Sequence, residues 1–123
     1  TFGGNPLAAA VARVALRKLG SEQIAANVAK QSQALRDGLA SLDAESGLFS
    51  EVRGRGLMLG AVLKPGYAGR AGEILDHAAA QGLLMLQAGP DVLRFVPALN
   101  ISYEEVAEGL LRLHSALSNF ITK

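Results

Sequence analysis

Asp91-Val92-Leu93-Arg94-Phe95-Val96-Pro97-Ala98-Leu99-Asn100 decides how the rest of the chain is read. Val92, Leu93, Phe95 and Val96 form a short apolar run suited to a buried strand. Pro90 and Asp91 open it, and Pro97 stops it by withholding a backbone donor. In its middle stands Arg94, a permanent cation that is costly to bury unless an anion meets it. Two readings of Arg94 follow. In one it is an edge-strand arginine facing water or a structural carboxylate. In the other, a rigid strand holds its planar guanidinium to grip a substrate carboxylate through paired hydrogen bonds.

Working outward, Leu83-Leu84-Met85-Leu86 reads as another short strand, joined through Gln87-Ala88-Gly89-Pro90 to the Arg94 strand as a hairpin. Beyond the hairpin, Ser102 and Glu105 have the spacing of a capping box, with Glu104 and Glu105 placed to complement a helix dipole. Val106, Leu110, Leu113 and Leu117 give that closing helix its apolar stripe, and Phe120 and Ile121 are expected to tuck in its end. Before the hairpin, Lys64-Pro65-Gly66-Tyr67 is a loop, and residues 70–81 form a helix that turns Ile74, Leu75 and Ala78 inward and ends at Gly82. Residues 49–53 alternate as a half-buried strand does. Residues 57–63 are nearly all apolar, which predicts a strand buried on both faces with Met58 in the core. Gly54-Arg55-Gly56 enters a strand, whereas a dinucleotide-binding loop leaves a strand for a helix, so the glycines predict a bend or bulge.

At the start, Thr1-Phe2-Gly3-Gly4-Asn5-Pro6 reads as a turn with Asn5 as N-cap and Pro6 in the first helical turn. An alanine-rich helix follows over residues 7–19, with Leu7, Val11, Val14 and Leu16 on its apolar face and Gly20 at its end. Ser21 opens a second helix to about residue 43, with Ile24, Val28, Leu35, Leu39 and Leu42 at helical spacing. Its alanine-rich first part has the texture of a DNA-binding helix-turn-helix but lacks the turn and the basic second helix, so a continuous helix is expected. The succession predicts an α/β fold. It is a two-layer sandwich in which a small, mainly antiparallel sheet has helices on one face, preceded by a linking helix. Residues 1–20 are the turn and linking helix, and residues 21–123 the domain.

Composition narrows the function classes. The chain of 123 residues is one domain's worth, and half hydrophobic, yet no run is long and charge-free enough to cross a membrane. A net charge of +1 offers no basis for nucleic-acid binding. With no cysteine, thiol catalysis, disulfides and thiolate-bound zinc are excluded. His77 and His114 alone do not build a metal site and read as exposed helix positions. The first residue is Thr1 and no signal pattern follows it, so the chain reads as a segment of a longer protein, for which the cytoplasm fits best.

Three stretches occur in order: Thr1-Phe2-Gly3-Gly4-Asn5-Pro6-Leu7-Ala8, Glu51-Val52-Arg53-Gly54-Arg55-Gly56-Leu57-Met58-Leu59-Gly60, and Leu93-Arg94-Phe95-Val96-Pro97-Ala98-Leu99. Together they resemble the C-terminal, small-domain part of class III, fold-type I pyridoxal-phosphate aminotransferases. Within that group they are most similar to the acetylornithine and succinylornithine aminotransferases.

The resemblance implies a parent enzyme that moves the terminal amino group of N2-acetyl- or N2-succinyl-ornithine to 2-oxoglutarate with pyridoxal 5'-phosphate, as a homodimer. It implies that Thr1 touches the cofactor phosphate of the neighbouring subunit, consistent with a hydroxyl beside a helix start. It implies that Arg94 binds a substrate carboxylate. No residue of this stretch is implied to be catalytic, and no metal is. The family's Schiff-base lysine belongs upstream, and Lys18, Lys30, Lys64 and Lys123 sit in no cofactor motif, so this stretch alone is expected to be inactive. The competing reading is a stand-alone α/β binding or interaction module.

Overall fold

Local signals set the element boundaries in the computed structural model, which describes residues 3–122. Asn5 Oδ1 accepts from the N–H groups of Leu7 and Ala8 at 2.9 and 3.1 Å, starting α1 (Pro6–Leu19). Ser21 caps α2 (Glu22–Ser46), which runs unbroken for 25 residues. It extends past the expected end because Gly47, at φ 64°, is the residue able to reverse the chain. Strands β1 (Phe49–Arg55) and β2 (Met58–Leu63) form a hairpin, followed by a 3-10 turn (Pro65–Tyr67) and α3 (Ala71–Ala80). Then come β3 (Leu86–Gln87), β4 (Val92–Phe95) and α4 (Tyr103–Ile121). The capping box of α4 is formed: Ser102 Oγ accepts from Glu105 N–H at 3.1 Å, and the Glu105 carboxylate accepts from Ser102 N–H at 2.8 Å.

The four strands are antiparallel in the order β1-β2-β4-β3. One face of this sheet meets α2, α3 and α4. Leu59, Ala61, Leu63 and Leu93 from the sheet pack with Leu35, Leu39, Leu42, Ile74, Val106, Leu113, Leu117 and Phe120 from the helices. Each fully buried leucine contributes about 1.5–3 kcal/mol relative to exposure. A register shift between Phe49 and Glu51 turns both Phe49 and Val52 towards that core, three residues apart.

Several expectations are corrected. β2 is buried on one face only, because every covering helix lies on the same side, and Met58 is 61% exposed rather than in the core. The irregularity in β1 falls at Phe49–Glu51. The bend expected at Gly54-Arg55-Gly56 is present, with Gly54 at φ 126° and Gly56 at φ 53° where the chain turns tightly from Arg55 to Met58. Leu83-Leu84-Met85 is not a strand; pairing begins only at Leu86. Arg94 is not on an edge, since β4 lies between β2 and β3. His77 is half-buried, its ring edge-on to Phe120 at 6.3 Å, whereas His114 is exposed beside Glu45 at 3.0 Å. Phe120 is buried but Ile121 is not.

No residue of α1 is buried; Leu7, Val11 and Leu16 are each more than half exposed. No helix among the described residues is long and apolar enough to cross a membrane.

Candidate carboxylate site

The sheet face away from the helices carries a distinctive row. Arg53 pairs with Gly60, Gly60 with Arg94, and Arg94 with Leu86, so their side-chain positions share that open face. The two arginines are separated by two strand spacings, about 10 Å, with no side chain between them. A Cβ built on Gly60 would lie 3.0 Å from Val92 Cγ1, so that side of the row has little room for even a methyl group. The sequence hint for Gly60 was a lone glycine within an apolar strand, which marks close approach.

Arg94 is exposed and has no ion pair or side-chain hydrogen bond among the described residues. Arg53, in contrast, meets Glu51 at 3.1 Å. Such a surface pair contributes little to stability. A fixed cation without a partner, mounted on an inner strand, is ready to receive a planar anion.

Beside Arg94 lies a cleft of about 200 Å³. Its walls are mainly apolar, among them Leu84, Leu86, Phe95, Val96, Ile101 and Leu110. Glu105 is its one acidic lining residue among the described residues, and that carboxylate is engaged by the capping box. Among the described residues, no lysine and no histidine borders the cleft. Lys64 Nζ stands 3.8 Å from Asp43 Oδ1, and Lys18 and Lys30 are exposed on helices. No cluster of metal-ligating side chains occurs among the described residues.

Past β4, the chain leaves through a turn closed by Ile101 N–H to the Ala98 carbonyl at 3.0 Å. Asn27 of α2 grips this exit, its Nδ2 donating to the carbonyls of Leu99 at 2.9 Å and Ile101 at 3.1 Å. Sequence reading passed over Asn27. The signal available was an asparagine inside a helix, where its propensity is poor unless its amide is used.

Thr1, the expected cofactor-phosphate contact, lies outside the described residues, so the structure brings only Arg94 of the two expected site residues into view. The described residues do not fit as a cradle for pyridoxal 5'-phosphate, since no lysine faces the open row or the cleft.

The family profile of class-III aminotransferases matches residues 1–117. An acetylornithine aminotransferase of Xanthomonas campestris pv. campestris is 69% identical over 123 residues, covering all of this chain and 30% of that protein. A succinylornithine transaminase of Yersinia pseudotuberculosis is 46% identical, again over all of this chain and 30% of that protein. The crystal structure of N-acetylornithine aminotransferase from Stenotrophomonas maltophilia superposes with a TM-score of 0.94 at 74% identity, covering 98% of this chain and 33% of that one. The chain therefore spans about a third of the length of these relatives.

Proposed function

This chain belongs to the class-III aminotransferase family, and from that premise we propose that it is the C-terminal segment of an enzyme moving the terminal amino group of N2-acetyl- or N2-succinyl-ornithine to 2-oxoglutarate. Enzymes of the family depend on pyridoxal 5'-phosphate, which supplies the electron sink for amino-group transfer. Parts of the enzyme beyond this chain would hold it, with Thr1 as the contribution from this segment, made across a homodimer interface. Residues 1–20 act in this reading as the turn and connecting helix, and residues 21–123 as the small domain. The cytoplasm is the expected compartment.

The observation that carries the reading is Arg94: an exposed guanidinium without a partner among the described residues, fixed on an inner strand at an apolar cleft. Its part is to hold a carboxylate of the amino-acid or 2-oxoacid substrate, so that the rest of the molecule is aimed at the reacting centre. Relatives named for acetylornithine and succinylornithine support the substrate class. Family membership displaces the stand-alone module.

The test is a full-length enzyme carrying Arg94→Ala, assayed with acylated ornithines and with 2-oxoglutarate. A raised KM for both carboxylate substrates is expected. An unchanged apparent affinity for both would refute the assignment.

A further inference from the structure

Resting on the reading of Arg94 as the carboxylate site, we infer that Asn27 is a positioning residue for that site, acting through the turn that follows β4. β4 is paired with β2 through Phe95, and after that the chain has left the sheet. Among the described residues, the bonds that tie residues 97–101 to another element are the two donated by Asn27. They span 72 and 74 residues of sequence, so this is a tertiary clamp rather than a local turn device.

The clamp is itself oriented. Gln31, one helical turn along α2 and only 3% exposed, donates from Nε2 to Asn27 Oδ1 at 3.3 Å. Because that oxygen accepts from Gln31, the Asn27 amide nitrogen faces the Leu99 and Ile101 carbonyls, which need donors. The held segment matters because Pro97 and Ile101, with the neighbouring Val96, form part of the wall of the cleft beside Arg94. Releasing the two carbonyls lets that wall and the end of β4 shift, and a carboxylate clamp tolerates little misplacement.

The experiment compares two ligands in the full-length enzyme: an N-acyl ornithine, and the N-acyl diamine that is the same molecule without its carboxylate. Asn27→Leu removes the donor. Asn27→Asp keeps the shape but turns an ionised acceptor on two carbonyls; it supplies the test if the leucine variant does not fold. With 2-oxoglutarate saturating, each is expected to raise KM for the ornithine about tenfold while leaving the diamine KM near wild type. Hydrogen exchange of the amides in residues 97–101 should quicken in both variants.

Arg94→Lys is measured in parallel and should show the same selectivity. If Arg94→Lys is selective and the Asn27 variants impair both ligands equally, or neither, the inference is overturned while the Arg94 reading stands. If Arg94→Lys shows no selectivity, the reading itself has failed, and the inference with it.

Discussion

Gly60 stands directly opposite Arg94 in the β2–β4 pairing, so the strand-mounted guanidinium has a neighbour without a side chain. With Val92 Cγ1 only 3.0 Å from where a Cβ would sit, a larger residue there must push against Val92 or into the space above the row. Gly60→Val is expected to cost about 1–3 kcal/mol by overpacking. It should also weaken binding of carboxylate substrates by crowding Arg94. Denaturant unfolding of the chain and KM in the full-length enzyme check the two effects separately.

Arg94 should be dispensable for folding. It is exposed and has no partner among the described residues, so Arg94→Ala is expected to change stability by no more than about 0.5 kcal/mol. A large destabilisation in urea titration would instead mark Arg94 as a structural cation, the first of the two readings its sequence allows.

The start of α4 predicts an acid-dependent term. Glu104 is held below the usual carboxylate range by its own backbone N–H and then by the Ser102 hydroxyl, with desolvation acting weakly against them. A lowered folded-state pKa means that the stabilising contribution is present above the unfolded value, about 4.3, and is lost as pH falls through the folded one. Glu104→Gln should therefore lower the melting temperature at neutral pH, with the gap to wild type closing as the pH drops below about 4. Thermal melts across that range follow it.

Gly38 of α2 faces Leu110 of α4 so closely that an added Cβ would overlap the leucine methyl groups. Gly38→Val is expected to destabilise the chain by about 1–3 kcal/mol, because the two helices must part or Leu110 must leave its rotamer. Adding Leu110→Ala should recover part of that loss, since the overlap disappears. A double-mutant cycle measures this coupling.

How much of this was legible depended on whether the cause was local. Asn5, Ser21, Ser102 and Glu105 act on backbone groups a few residues away, and their helices start where the sequence placed them. The hairpin expected through residues 87–90 was also local, and β3 and β4 do pair, although Gln87 lies in the strand rather than the turn. Met58 failed because an apolar run does not say how many of its faces will be covered; that depends on helices elsewhere in the chain. Leu83 to Met85 failed for a similar reason: Leu83 and Met85 pack against the core, and Leu84 stands exposed, without any of them finding a strand partner. Arg94 drew attention because a cation in an apolar strand stands out by itself, while its carboxylate role came from the family resemblance. Asn27 and Gly60 matter only through partners tens of residues distant, and a single sequence does not display such pairings.

The alanine-rich α1 lends the core almost nothing, since none of its residues is buried. Substitutions along its apolar stripe should then be silent in any measurement of how residues 22–122 fold. Whatever surface this helix meets alone decides which changes in it survive, so its sequence drifts under the selection of that surface rather than of its own domain.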